Sequence, residues 1–99
     1  MQIQIQSIHF DADEKLLNHI EKKVSKLNNY YDRITDAEVF LRLDNGSHMV
    51  KDKIVELKLN LPGTTLFAKE SQKSFESSLD EALGSVKRQL TKHKEKIRG

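Results

Sequence analysis

The residues predict an α+β fold in two layers, a four-stranded mixed sheet with both helices packed on one face. Three observations predict it. Four stretches alternate apolar and polar residues, two longer stretches repeat apolar residues at helical spacing, and their order along the chain is β-α-β-β-β-α. A strand–helix–strand opening brings two strands parallel through a right-handed crossover. Two helices with one apolar face each must then bury those faces against the sheet. The 99 residues suffice for a single domain, 1–99, with one core.

Gln2-Ile3-Gln4-Ile5-Gln6 is a strict alternation and reads as a half-buried strand. Ile8 and Phe10 fall on the opposite parity, which a bulge near Ser7 or the end of the strand explains. Asp11 followed by Glu14 resembles a capping box, so a helix cap is the expected role of Asp11, Asp13 and Glu14. Leu16, Leu17, Ile20, Val24 and Leu27 then form one apolar face. Asn28-Asn29 ends this first helix, and Tyr30 and Tyr31 are expected to cover the end of the core.

The second strand has Ala37, Val39, Leu41 and Leu43 in alternation, and the third has Val55, Leu57, Leu59 and Leu61. Asn45-Gly46-Ser47-His48 is a turn by composition, as is Pro62-Gly63, and a short fourth strand follows over 64–69. Strands joined by short turns make an antiparallel meander. One sheet face is largely polar, with Phe40, Ile54 and Phe67 as its apolar members, and parity alone does not tell which face the helices cover. From about Ser71 the period is helical again, with Phe75, Leu79, Ala82, Leu83, Val86, Leu90 and Ile97 on one face.

Composition removes several classes of function. There is no cysteine, hence no disulfide and no thiolate metal site, a usage that fits a reducing cytoplasm. The longest apolar run is three residues, as in Val39-Phe40-Leu41, too short for a membrane span or the core of a signal peptide. His9, His19, His48 and His93 show no metal-ligand spacing. No serine sits in a nucleophile elbow, and the glycines form neither a phosphate loop nor a dinucleotide fingerprint. The expectation is a protein that is not an enzyme, with no cofactor and no metal.

Charge is informative. Lys87, Arg88, Lys92, Lys94, Lys96 and Arg98 crowd the last stretch against one acid, Glu95, while the rest of the chain holds 11 bases and 14 acids. Acids early and bases late in a helix complement its macrodipole, but that effect fades beyond the last turn and does not require so large an excess. In the first helix Lys15, His19, Lys22, Lys23 and Lys26 collect within roughly 100° of a helical wheel, a lateral stripe for which the dipole offers no reason. Two helices with basic edges would make a continuous cationic surface, the footprint of a phosphate backbone. Lysine outnumbers arginine in both stripes, which suits phosphate contact and RNA shape better than the reading of DNA bases. A membrane surface fits less well, because the apolar helix faces are needed for the core.

Ser25-Lys26-Leu27-Asn28-Asn29-Tyr30-Tyr31-Asp32-Arg33-Ile34 and Arg88-Gln89-Leu90-Thr91-Lys92-His93-Lys94-Glu95-Lys96 resemble the two signature stretches of short ribosome hibernation factors. This is the family of hibernation-promoting factor and ribosome-associated inhibitor, long labelled sigma-factor modulation proteins. The opening strand and the element order agree with it. The resemblance implies binding to the small ribosomal subunit at the decoding region, across the messenger and transfer RNA sites, and inhibition of translation in stress or stationary phase. Carried over by position, it implies ribosomal RNA contact by Lys26, Arg33, Arg88, Lys92 and Lys94. The wheel adds Lys22, Lys23 and Lys87. The implied partner is ribosomal RNA of the small subunit, with no DNA and no membrane.

The chain departs from the family pattern in two places. The family's Asp-Met-Tyr at the start of the last helix is Lys73-Ser74-Phe75 here, which keeps the aromatic residue but replaces the acid by a base. The sequence also stops at Gly99, so no C-terminal dimerisation domain is expected, and pairing of ribosomes would need another factor or a change in the ribosome itself. Two other readings compete with ribosome binding. One is a general double-stranded RNA-binding module; the other is a protein–protein adaptor using the open sheet face with Phe40 and Phe67.

Overall fold

The computed structural model describes residues 1–44 and 52–98, so the turn expected at Asn45–His48 lies outside the described residues. The elements are β1 (Gln2–Ser7), α1 (Glu14–Ser25), α2 (Leu27–Tyr30), β2 (Asp36–Asp44), β3 (Asp52–Leu61), β4 (Thr64–Gln72) and α3 (Phe75–Arg98). The sheet order is β1-β2-β3-β4. β1 is parallel to β2, whereas β2–β3 and β3–β4 are antiparallel. The mixed sheet and the meander expected from the sequence are both present.

Burial decides the face that parity left open. Ala37, Val39, Leu41, Val55, Leu57, Leu59 and Leu61 are buried beneath the helices together with Ile20, Val24, Leu27, Leu79, Val86 and Leu90. The shortest dimension, 19 Å, admits one helical layer, about 10–12 Å across, on one sheet. On the open face Gln6, Phe40, Glu56 and Lys69 fall in one cross-strand row, and Gln4, Glu38, Lys58 and Phe67 in the next. Arg42 pairs with Glu56 at 2.9 Å and Lys58 with Glu38 at 3.6 Å, while the Asn60 amide donates to Asp36 at 2.8 Å. Arg42 and Lys58 are thus neutralised by acids of that face.

Several boundaries differ from the sequence expectation. β1 ends at Ser7, and His9 takes φ 64 as the chain leaves the sheet, so the parity shift at Ile8 is a strand end. Phe10 then stacks on Phe75 with ring centroids 5.4 Å apart. Because residues 8–12 are spent on this exit, the cap of α1 is Asp13, not Asp11. The Asp13 carboxylate accepts from the Leu16 N–H at 2.7 Å. The first helix also breaks at Lys26 into α1 and the single turn of α2. Tyr31 is buried in the core but Tyr30 is 39% exposed.

β4 runs on to Gln72, three residues past its expected end. Ser78 explains the extension: fully buried, it donates to the Lys53 carbonyl and accepts from the Gln72 N–H at 2.9 Å, tying α3 to the ends of β3 and β4. The Ser74 hydroxyl accepts from the Ser77 N–H at 3.1 Å at the start of α3. Pro62-Gly63 makes the tight turn between β3 and β4, with Gly63 at φ 79, a value that favours glycine. Ile97 departs from its expected place in the core and is 56% exposed. α3 has 24 residues, about 36 Å at 1.5 Å per residue, and among its described side chains the last buried one is Leu90. Beyond it the helix outruns the sheet.

Candidate RNA-binding surface

Strand direction places the basic residues. α1 returns against β1; β2 runs with β1, β3 against it and β4 with it again, so α3 also returns against β1. The two helices are therefore parallel and their C-terminal ends lie at the same end of the helical layer. Contacts at both ends agree. At the start, Leu16, His19 and Lys15 of α1 share a shallow pocket of about 270 Å³ with Phe75 and Glu76 of α3. At the finish, the Tyr30 hydroxyl meets Thr91 Oγ1, Tyr31 stands edge-on to His93 with centroids 5.7 Å apart, and Lys94 Nζ donates to the Tyr30 carbonyl at 2.6 Å.

The late bases of α3 and the late bases of α1 are thus brought to one end. Lys22 and Lys26 project from the side of α1 opposite Ile20 and Val24, and Arg88 and Lys92 from the side of α3 opposite Val86 and Leu90. All four are exposed. Lys23, half-buried, lies on the flank of α1 that His19 and Leu16 turn toward α3, and Lys87 lies on the flank of α3 that carries Thr91 and Lys94 toward Tyr30. Arg33 is exposed in the segment between α2 and β2. Among the described residues none of these eight cations is in an ion pair, whereas Arg42 pairs with Glu56, Lys58 with Glu38 and Lys73 with Asp52. On the open sheet face Arg42 and Lys58 are matched by acids, whereas the eight cations of the helical side are not.

Lys94 has a second engagement. Its ammonium sits 4.2 Å from the centroid of the Tyr30 ring and donates to that residue's carbonyl, so it closes the end of α2 onto α3 while keeping its charge. Sequence reasoning did not find the groove beside it, lined by Tyr31, Arg33, Lys94 and Ile97, of about 410 Å³. The available signal was the break in the apolar stripe between Leu90 and Ile97, where His93 and Lys94 occupy the intervening positions.

A two-layer sheet with unneutralised cations at one end of its helical side can be compared with known proteins. The family model described as sigma 54 modulation protein / S30EA ribosomal protein matches residues 3–98. The chain belongs to this family.

Relatives of this S30EA chain include the ribosome hibernation promotion factor of Deinococcus radiodurans, 34% identical over 95 residues, 95% of this chain and 50% of the relative. The chain spans half the length of that relative. The ribosome hibernation promoting factor of Azotobacter vinelandii is 31% identical across 97% of this chain and 85% of its own length. Among solved structures, the ribosomal subunit interface protein of Coxiella burnetii superposes with a TM-score of 0.83 at 24% identity, covering 95% of this chain and 98% of that one. The N-terminal domain of Thermus thermophilus Protein Y gives 0.79 at 21% identity, covering 94% and 99%. Both have the fold of this S30EA domain.

The position that departs from the family pattern has its own local partner. Lys73 Nζ lies 3.3 Å from Asp52 Oδ1, so the base bridges the start of α3 to β3. Phe75 retains a packing role through Phe10.

Proposed function

We propose that this S30EA chain is a ribosome hibernation factor of the cytoplasm that binds the small ribosomal subunit at its decoding region. It blocks the messenger and transfer RNA sites by occupying them, and it requires no catalysis and no cofactor. The observation that carries the reading is the convergence of Lys22, Lys23, Lys26, Arg33, Lys87, Arg88, Lys92 and Lys94 at one end of two parallel helices without an acid to neutralise them. Such a surface gains affinity by releasing counterions condensed on RNA phosphates. The names of the hibernation factors among its relatives supply the class of RNA.

The test is sedimentation of the purified protein with small ribosomal subunits over a salt series, beside a variant carrying Lys26→Glu, Arg88→Glu and Lys92→Glu. With about six phosphate contacts, affinity should fall roughly a thousandfold between about 50 and 200 mM salt. The triple variant should stay in the supernatant, and messenger RNA should compete with the wild type. A wild-type protein that does not pellet at low salt would overturn the reading in favour of an adaptor. Equal affinity for any long RNA duplex would favour a general duplex-binding module.

A further inference from the structure

Ile97 stands on the core stripe of α3 but has no core to enter. More than half of its surface is exposed, and it forms one wall of the groove with Tyr31, Arg33 and Lys94. The groove, of about 410 Å³, falls in the range of small-ligand sites, about 300–1,000 Å³. Two of its walls are held in place independently of any ligand. The Tyr31 ring is buried and backed edge-on by His93, and Lys94 is fixed to the Tyr30 carbonyl. Lys94 retains two further N–H donors. Arg33, exposed, has no acid partner among the described residues.

Two apolar walls beside two cations are poorly used by a duplex, whose outer ridge offers only phosphate and sugar and would leave Ile97 facing charge. They fit an unpaired nucleotide, which carries an apolar planar base and a phosphate on the same unit. An acidic peptide could satisfy the cations, but its acidic residues place no apolar ring beside their own charge, as Ile97 and Tyr31 next to Arg33 and Lys94 call for. We propose that this notch holds one unpaired nucleotide, its phosphate on Arg33 and Lys94 and its base against Ile97 and the edge of Tyr31. The proposal rests on the reading of the helix end as an RNA-binding surface. Whether the nucleotide belongs to a strand or is free is left to the arms of the test.

The experiment is NMR titration of isotope-labelled protein, following the Ile97 methyl groups and the Tyr31 ring. The probes are a single-stranded RNA hexamer, the same hexamer as a blunt duplex, a nucleoside 5′-monophosphate, inorganic phosphate and an acidic hexapeptide. The single strand should move both residues and saturate at a concentration at least tenfold below that of the duplex. Arg33→Gln and Ile97→Ser, both at exposed positions, should each weaken it about tenfold. Lys73→Gln, at the other end of α3 and outside the proposed RNA surface, should leave the Ile97 shift in place. A monophosphate binding as tightly as the hexamer supports the notch and assigns it to free nucleotides. Ile97 and Tyr31 signals that stay still while Lys26 and Arg88 respond, inorganic phosphate that reproduces the whole effect, or tighter binding of the peptide would each overturn the proposal. The two readings fail separately: protein that pellets with subunits through a silent notch loses only the nucleotide site. A responsive notch in protein that does not pellet loses only the ribosome.

Discussion

Lys94 stands on Tyr30, its ammonium 4.2 Å from the ring centroid and 2.6 Å from the carbonyl oxygen of the same residue. One side chain of the last helix thereby satisfies the backbone of α2 and covers its aromatic side chain. The two stretches of sequence that carry the family resemblance are bound to each other at this point.

That contact gives Lys94 a structural role beside its proposed binding role. Lys94→Met keeps the aliphatic stem and removes the charge, and should lower stability by about 2 kcal/mol, the lower end of the sum of a hydrogen bond to a charged group and an exposed cation–π contact. Lys26→Met, at an exposed position without a partner among the described residues, should stay within about 0.5 kcal/mol of wild type. Urea unfolding midpoints check the difference.

Ser78 is the buried polar residue that joins three elements. Ser78→Ala leaves the Gln72 N–H and the Lys53 carbonyl without this hydroxyl, at a cost of about 1–3 kcal/mol. For a domain of this size each kcal/mol corresponds to about 4–8 °C in melting temperature. A thermal melt unchanged within 2 °C (about half the smallest shift for 1 kcal/mol) would show that water replaces the hydroxyl there.

The position of the helix cap can be measured directly. Asp13→Ala removes the acceptor of the Leu16 N–H and should cost about 1 kcal/mol. Asp11→Ala should change stability by less than about 0.5 kcal/mol. Chemical denaturation of the two variants checks the assignment, and equal losses would place the cap elsewhere.

The proposed RNA surface has a spatial control. Lys22→Gln and Lys92→Gln should each reduce the steepness of the salt dependence of small-subunit binding by about one phosphate contact. Lys73→Gln removes a cation at the opposite end of α3, where Asp52 already pairs with it, and should leave that slope unchanged. Sedimentation over the same salt series reads all three.

Much of the fold is legible in the residues because the periods are local. Alternation at Ile3 and Ile5, or at Val55, Leu57 and Leu59, needs only the pleat of one strand, and the stripe from Leu79 to Leu90 needs only the pitch of one helix. The cationic surface was legible in part for the same reason: Lys22 and Lys26, or Arg88 and Lys92, share a helix face by spacing alone. The sequence offered Asp11, Asp13 and Glu14 as capping residues, with Asp11 opening the capping box, and could not single out Asp13 because both aspartates precede the same apolar run. What separates them is the path by which Phe10 reaches Phe75, a partner 65 positions away.

By itself the sequence determined the element types, their order and the sign of charge on each helix, since these depend on neighbours a few residues apart. Tertiary structure alone decided which sheet face is covered, that Lys94 closes on Tyr30, and that Ile97 forms a groove wall instead of joining the core. The last two depend on how far a 24-residue helix runs past the sheet beneath it. Relative length and placement of two packed layers is a property no single stretch of chain carries.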